Sequence, residues 1–269
     1  MIIDAHTHMG PIDMLGKRRA YIPFMQQDLT DVDLFGPEIM LKSMDAYGIE
    51  KSVFFSTLSH AEDYSEANAW TARIMRQHPD RLIGYAFINP VGGAKAVDDL
   101  KRCINDFGLK GIKLHPVSHA YQIYGGVQDD LVDPIAELAS KFKLPIIIHS
   151  GWYSYGHPAN IGLLADAFPE AIIIIAHGGG TPESFGFGVL SSLQVARKHK
   201  NVFLEISQCP AILFLREFVD RVGADRLLFG SDTPWSVVEI ELSKVKALRL
   251  SEEQEKLVLG ENMARILGL

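Results

Sequence analysis

The feature that most constrains this chain is a regular alternation between short apolar runs and longer stretches with helical periodicity. The runs are rich in Ile, Val, Leu and Phe without polar alternation, which is typical of strands buried on both faces of a parallel sheet. Eight runs recur, at residues 2–5, 52–56, 82–88, 111–114, 145–148, 172–176, 202–206 and 227–229. Alternating strands and helices form a doubly wound sheet or a closed barrel, and eight repeats in 269 residues favour the barrel. We therefore predict an α/β fold, one (β/α)8 TIM barrel domain over residues 1–269.

The stretches between the runs predict helices at residues 37–47, 65–77, 94–107, 130–142, 159–168, 183–199, 210–221 and 239–248. Gly48, Gly108 and Gly223 each follow such a stretch, where a left-handed residue commonly ends a helix. Ser251 is a suitable N-cap for one or two further helices in the tail, residues 251–267. Residues 10–36 show no clear pattern. Because they follow the first strand at the end of the barrel where active sites lie, we predict a loop that covers the substrate.

The composition excludes several classes of partner. A formal net charge of −7 argues against a nucleic-acid surface, which needs clustered Lys and Arg. The apolar runs are too short to cross a membrane, and the N-terminus lacks the features of a secretory leader. Cys103 and Cys209 are the two cysteines, and their positions argue against a structural disulfide. We expect a cytoplasmic protein whose partner is a small-molecule substrate, not a nucleic acid or a membrane.

Potential metal ligands stand at the ends of four predicted strands. His6 and His8 are two residues apart on an extended chain, so alternation places both imidazoles on one face. His149 ends the fifth run, His177 the sixth and Asp232 the eighth. Any one of these residues alone is more often structural than functional. Their joint placement at one mouth of the barrel, where unpartnered buried imidazoles would be costly, predicts a metal site.

Several neighbouring residues allow more than one interpretation. On the seventh strand Glu205 shares a face with Phe203 and Ser207, so it could orient a ligand or pair with Lys113 as a buried carboxylate. His115 follows the fourth strand and could line a pocket. Aromatic residues after strand ends could do the same or could simply pack the loops, and they are Trp152, Tyr153, Tyr155 and Trp235.

The chain resembles the amidohydrolase superfamily, specifically the amidohydrolase-related branch that includes aminocarboxymuconate-semialdehyde decarboxylase. The resemblance covers essentially the whole chain and is specific for the superfamily but weakly informative about the substrate. It rests on a set of motifs in order, Asp4-Ala5-His6-Thr7-His8, Gly111-Ile112-Lys113-Leu114-His115-Pro116, Ile148-His149-Ser150-Gly151, Ala176-His177-Gly178-Gly179, Gly230-Ser231-Asp232-Thr233-Pro234-Trp235 and Leu259-Gly260-Glu261-Asn262. The TatD-like nucleases also begin with His-x-His, but their fourth strand ends in a Glu-containing motif that this chain lacks.

The resemblance implies a role for each residue at the strand ends. His6, His8 and His149 look like direct metal ligands, and Asp232 like a fourth ligand that also handles the proton of metal-bound water. His177 looks like the acid/base residue beside the metal. Members with two metals bridge them through a carbamylated lysine, and Lys113 stands near that place, although one ion is favoured here. Zinc is the expected ion, with manganese or iron as alternatives, and the resemblance allows a homodimer.

Two reactions fit this set of residues. The first, which we expect, is hydrolysis, in which a metal-activated water attacks the carbonyl of an amide, ester or lactone of a small organic acid. The second is decarboxylation by a metal-dependent carboxy-lyase of an unsaturated or aromatic carboxylic acid. The modest chain length favours hydrolysis, because characterised decarboxylases carry larger insertions. A third hypothesis, a barrel that binds metal and ligand without turnover, leaves His177 and Asp232 unexplained.

Overall fold

Eleven strands occur in the part of the chain that the computed structural model describes, residues 1–11, 18–56, 63–125, 131–151, 154–180 and 188–269, with the backbone alone for 18–23 and 27–32. In chain order they are β1 Ile3–Met9, β2 Arg18–Ile22, β3 Gln27–Val32, β4 Lys51–Ser56, β5 Leu82–Gly84, β6 Ala86–Ile88, β7 Ile112–Leu114, β8 Ile146–Ile148, β9 Ile173–Ile175, β10 Val202–Glu205 and β11 Leu227–Leu228. All except β2 and β3 are parallel strands of the barrel, so the predicted fold class is confirmed.

The parallel strands follow one another around the barrel in chain order. One set runs from β1 through β4 to β5, and the other from β6 through β7, β8, β9 and β10 to β11. The two sets meet at Tyr85, whose N–H donates to Phe54, whereas the next N–H, of Ala86, donates to Gly111. The barrel closes between its ends, where the N–H of Ala5 donates to Phe229 and the N–H of Asp232 donates to His6.

The apolar runs are continuous because each strand packs on two cores. Ile147 and Ile174 lie in a cluster inside the barrel, together with residues of β1, β4 and β11. Ile146 and Ile148, on either side of Ile147, belong to the larger cluster between the barrel and its helices. Lys113 lies between Ile112 and Leu114, which both belong to that outer cluster. Alternation therefore turns Lys113 toward the inside of the barrel, where it is fully buried.

Strand β1 contains a bulge that changes which of its side chains face inward. Asp4 pairs with Ser52 and Thr7 with Phe54, so β1 carries one residue more than β4 between these pairs. Ile3 and Ala5 belong to the inner cluster before the bulge, and His6 and His8 face the same interior after it. The carboxylate of Asp4 accepts the N–H of His6 over 3.1 Å and that of Ser231 over 2.9 Å. Asp4 thus joins the bulge to the last strand.

The helices of the described residues surround the barrel and agree closely with the predicted stretches. They are α1 Pro37–Tyr47, α2 Ser65–Gln77, α3 Ala94–Arg102, α4 Asp133–Phe142, α5 Pro158–Ala167, α6 Gly188–Lys198, α7 Ile212–Arg221, α8 Val238–Ala247, α9 Glu252–Lys256 and α10 Asn262–Leu267. The stretch predicted to continue to residue 107 does so as a π-helical turn, Cys103–Phe107. Ser251 caps α9 in a capping box with Gln254, as its position predicted. None of these helices is long and apolar enough to span a membrane, and Cys103 and Cys209 are buried free thiols.

Two expectations need correction. The run at residues 82–88 is two strands, β5 and β6, because its hydrogen bonds pass from one neighbouring strand to the other at Tyr85. Residues 10–36, which show no clear pattern and were predicted as a loop that covers the substrate, contain regular structure, because β2 and β3 pair as an antiparallel ribbon joined through a 3-10 turn, Pro23–Met25. Residues 12–17 of that segment lie outside the described part of the chain.

Candidate metal centre

Three donor atoms from the two ends of the barrel sheet converge at its mouth. The Nε2 atoms of His6 and His8 are 3.3 Å apart, and Oδ1 of Asp232 lies 3.2 Å from the first and 3.1 Å from the second. All three residues are buried. A tetrahedral zinc ion with bonds of about 2.1 Å separates its ligand atoms by about 3.4 Å. The triangle formed by these atoms therefore has the dimensions of one face of such a site.

Hydrogen bonds on the far side of each ring direct lone pairs into this triangle. Nδ1 of His6 lies 2.7 Å from Oε2 of Glu205, and because a carboxylate only accepts, this nitrogen carries the proton. Nδ1 of His8 donates in the same way to the backbone carbonyl of Ser56 over 3.3 Å. Both Nε2 atoms are then unprotonated. Oδ1 of Asp232 accepts no well-aligned hydrogen bond from the described residues, so three electron-rich atoms face one another and fit a bound cation.

The carboxylate of Asp232 is oriented by its other oxygen. The side-chain amide of Gln208 donates to Oδ2, which leaves Oδ1 directed at the two imidazoles. Burial alone would raise the pKa of Asp232, but positive charge on His6 and His8, when these rings are protonated, outweighs burial and holds that pKa well below its ordinary value. Asp232 and Gln208 both adopt left-handed backbone conformations, with φ of 55° and 53°. Such conformations are costly for residues with a Cβ and cluster at functional sites.

His177 lies beside the triangle, and its protonation pattern is defined by its neighbours. Its Nδ1 is 3.1 Å from the backbone carbonyl of Ser207, so Nδ1 carries the proton. Its Nε2 is 3.1 Å from Nδ1 of His149 and accepts a hydrogen bond from the N–H there, which leaves Nε2 of His149 unprotonated. His177 has φ of 58°, a third left-handed residue at a strand end. Burial is the main cause that lowers its pKa, so the ring is neutral.

Four of the five predicted site residues belong to groups of side chains that could hold a metal ion, and the fifth does not. Two groups of described residues could hold a metal ion, His6 with His8 and Asp232, and His6 with His177 and Glu205. His149 belongs to neither group. It is partly buried, contacts His177, and stacks on the ring of His115 with the centroids 3.8 Å apart. Its role as a direct ligand remains a prediction.

The contacts of Lys113 and Glu205 decide between the two roles that the sequence left open for Glu205, which were to orient a ligand or to pair with Lys113. Glu205 is fully buried, and its carboxylate also accepts the backbone N–H groups of His177 and Ser207. Nζ of Lys113 lies 3.3 Å from Nε2 of His6 and 4.6 Å from the centroid of the Phe55 ring. Burial lowers the pKa of Lys113 to about 8, although Asp232 and Glu205 oppose this. Glu205 therefore orients His6, as one interpretation held, rather than forming a close pair with Lys113.

Some residues of the site carry no signal that the sequence analysis used. Gln208 comes just after a predicted strand and looks like an ordinary loop residue, Ser207 was noted only for sharing a face with Glu205, and Asp4 was noted only as part of a motif. Polar residues directly after β10 were the available clue. Of the aromatic residues proposed for a pocket, Tyr155 and Trp235 are 40% and 48% exposed, and Trp235 packs on Phe35. Trp152 and Tyr153 lie outside the described residues.

Comparison with known families tests the resemblance to the amidohydrolase superfamily. The family model described as Amidohydrolase matches residues 3–269. The chain belongs to this amidohydrolase family. Members of the superfamily depend on metal, and the chain is accordingly an enzyme of the hydrolase or carboxy-lyase type.

The relatives of this amidohydrolase include decarboxylases. Gamma-resorcylate decarboxylase of Rhizobium radiobacter is 23% identical, over 90% of this chain and 88% of its own length. A TIM-barrel protein of Bordetella bronchiseptica, of uncharacterised activity, is 19% identical with a TM-score of 0.76, covering 99% of this chain and 98% of that one. A 5-carboxyvanillate decarboxylase of Novosphingobium aromaticivorans, solved with manganese and 3-methoxy-4-hydroxy-5-nitrobenzoic acid, is 18% identical with a TM-score of 0.71, covering 100% and 96%. At these identities the structural likeness shows the fold alone.

Two of these relatives are named for decarboxylation, the second of the two expected reactions. Hydrolysis was expected partly because the chain is short for a decarboxylase. The match nevertheless spans 88% and 96% of the length of the two decarboxylases, so the chain length does not exclude decarboxylation.

Proposed function

We propose that this amidohydrolase is a metal-dependent decarboxylase of an aromatic or unsaturated carboxylic acid, with residues 1–269 forming one catalytic barrel domain. The observation that carries the metal-dependent part is the triangle of His6 Nε2, His8 Nε2 and Asp232 Oδ1, in which the carboxylate oxygen is buried and accepts no well-aligned hydrogen bond from the described residues. The decarboxylase part is supported by the reactions named for two relatives, gamma-resorcylate decarboxylase and 5-carboxyvanillate decarboxylase.

We infer that His6, His8 and Asp232 hold one divalent ion, with Nε2 of His149 as a further ligand. Two imidazole nitrogens and a carboxylate oxygen suit zinc or manganese. When bound, the ion acts as a Lewis acid that neutralises the acidic oxygens of the substrate. Lys113 has Nζ close to His6 and adds positive charge on the same side. The site therefore favours an anionic substrate.

Decarboxylation replaces a carboxylate with a proton on the same carbon, and the chain must supply that proton. Asp232, which is part of the triangle, and His177, which lies beside it, are buried groups that can exchange one. The Nδ1–H of His177 is held by the carbonyl of Ser207, so its Nε2 is the nitrogen that would take up a proton from solvent and then deliver it to the substrate carbon. As the bond between the ring carbon and CO2 breaks, the electron pair stays on that carbon and takes up the proton.

Incubation of the metal-loaded enzyme with 2,6-dihydroxybenzoate, with other hydroxybenzoates and with unsaturated dicarboxylic acids tests the proposal. We expect CO2 release from at least one of these acids, with the decarboxylated product in equal amount, measured by a coupled CO2 assay and chromatography. Matched lactones and amides in the same panel should remain intact. Hydrolysis of a lactone or amide without CO2 release from any acid would contradict decarboxylation.

Hydrolysis is the second candidate, favoured by one feature of the site. His6 and His8 provide two neutral nitrogen ligands, and together with Asp232 they leave positions for water as well as substrate, as catalytic zinc sites require. The lactones and amides of the same panel therefore decide between the two reactions.

Replacing Glu205 with glutamine is expected to weaken metal binding about 10- to 100-fold. Glutamine still accepts the Nδ1–H of His6 but removes the negative charge that makes the ring a stronger ligand. Competition with a chromophoric chelator measures the affinity. Glu239→Gln, an exposed position on α8, is the matched control and should bind metal as the parent does. Unchanged affinity in Glu205→Gln would show that Glu205 serves packing alone.

A further inference from the structure

His115 is a buried histidine that neither the triangle nor the proposed acid/base pair uses. It follows β7 directly, at the same mouth of the barrel as the other histidines, and only 4% of its surface is exposed. Its ring lies nearly parallel to that of His149, at 15° with the centroids 3.8 Å apart. Lys113 stands two residues before it on the same face of the strand. His115 therefore borders the region where the substrate is expected.

The backbone determines which nitrogen of His115 carries the proton. The N–H of Ser118 donates to Nδ1 over 3.1 Å, so Nδ1 is an acceptor and has no proton of its own. A neutral imidazole with an unprotonated Nδ1 must carry its proton on Nε2. His6 and His8 have the opposite arrangement, with the proton on Nδ1. His115 presents a donor where those two rings present acceptors.

The Nε2–H donor of His115 has no hydrogen-bond acceptor within the described residues. Nε2 of His115 is fully buried and makes no hydrogen bond there. Buried donors are nearly always satisfied, because an unpaired one loses its interaction with water and gains nothing in return. A metal ion cannot fill the place, since a nitrogen that carries a proton has no lone pair to offer. The missing partner must be an acceptor.

We propose that the Nε2–H of His115 donates a hydrogen bond to an anionic oxygen of the substrate, either its carboxylate or an adjacent phenol oxygen. This rests on the proposed function, which makes the substrate an aromatic or unsaturated acid. The ammonium group of Lys113, on the same face of the strand and close to His6, makes this mouth of the barrel favourable to negative charge, and the stacked ring of His149 restricts the orientation of the His115 ring. His115 is then a substrate-binding residue that selects acids of the correct shape.

Calorimetric binding of 2-hydroxybenzoate to the metal-loaded full chain tests this. We expect His115→Phe to weaken binding about 10- to 100-fold, the loss typical of a hydrogen bond to a charged group. His115→Gln, which can place an N–H near the same point, should restore binding to within about threefold of the parent. His78→Gln, on a partly buried histidine after α2, is the control and should bind as the parent does. Metal content should be equal in all four proteins.

Two further probes identify the oxygen. If His115 contacts the carboxylate, His115→Phe weakens binding of benzoate and leaves that of phenol unchanged, and the reverse pattern assigns the phenol oxygen. Nitrogen NMR of the parent should show the proton of His115 on Nε2. The inference would be overturned if His115→Phe bound 2-hydroxybenzoate as tightly as the parent does, or if the proton of His115 lay on Nδ1. It would also be overturned if the parent bound none of the three probes, which are 2-hydroxybenzoate, benzoate and phenol.

Activity measured in parallel separates this inference from the proposed function. If the parent binds the acids in a manner that depends on His115 but releases no CO2 from any substrate, decarboxylation is wrong and the role of His115 holds. If CO2 is released and His115→Phe binds the acids as tightly as the parent does, the role of His115 is wrong and decarboxylation holds.

Discussion

Replacing His177 with alanine is expected to lower kcat/KM about 10²- to 10⁴-fold while leaving close to one metal ion per chain. The activity falls because His177 is the neutral ring beside the triangle whose Nε2 can exchange a proton. The metal remains because His6, His8 and Asp232 are oriented by other groups, namely Glu205, Ser56 and Gln208. Steady-state CO2 release and elemental analysis of the same preparation measure the two quantities.

A control variant separates chemistry from packing at this position. Ser207→Ala removes a hydroxyl 3.1 Å from Nδ1 of His177 but keeps the backbone carbonyl that orients the ring, so its activity should stay within about tenfold of the parent. Loss of metal from His177→Ala in proportion to the loss of activity would instead make His177 a ligand. The second convergent group, His6 with His177 and Glu205, would then be the metal site.

Replacing His6 with alanine is expected to have the largest effect on metal binding. His6 contributes to both convergent groups and is the ring that Glu205 orients, so its removal should exceed the roughly 10- to 100-fold loss expected for Glu205→Gln. Activity should fall with the metal content. Chelator competition, elemental analysis and CO2 release measure the three effects on one sample.

The metal content of the parent belongs to the same experiment. One ion per chain is expected, since both convergent groups found among the described residues share His6, and the Lys113 side chain lies against His6 and Phe55. Two ions per chain would indicate a carbamylated Lys113 that bridges them. His78→Ala, far along the chain from these ligands, should keep full metal content. Full metal content in His6→Ala would contradict the assigned site.

Much of the barrel could be predicted because its strands carry a strong signal. Residues 146–148 and 173–175 are isoleucine triplets, and each triplet packs on both cores at once, so burial on two faces is readable as an unbroken apolar run. The ribbon formed by β2 and β3 gave no such signal, because a two-stranded ribbon needs no continuous apolar run and its segments contain charged and polar residues. The switch of partners at Tyr85 depends on hydrogen bonds to residues far along the chain.

The candidate site was predictable to the extent that it follows from strand alternation. His6, His8 and Glu205 turn inward as their spacing indicated. Gln208 was missed because its left-handed backbone, not its residue type, brings its amide to Asp232. The different proton positions of His8 and His115 depend on single backbone groups, of Ser56 and Ser118, that approach only in the folded chain. No spacing rule encodes such contacts.

The bulge in β1 has a consequence for how such a barrel can evolve. The extra residue lets Ile3 and Ala5 fill the floor of the barrel while His6 and His8 occupy its mouth, within one strand of seven residues. Selection for stable packing inside the barrel then acts on Ile3 and Ala5, and selection for activity acts on His6 and His8, although the two pairs are neighbours in the chain. New chemistry can arise at the mouth without loss of the packing beneath it.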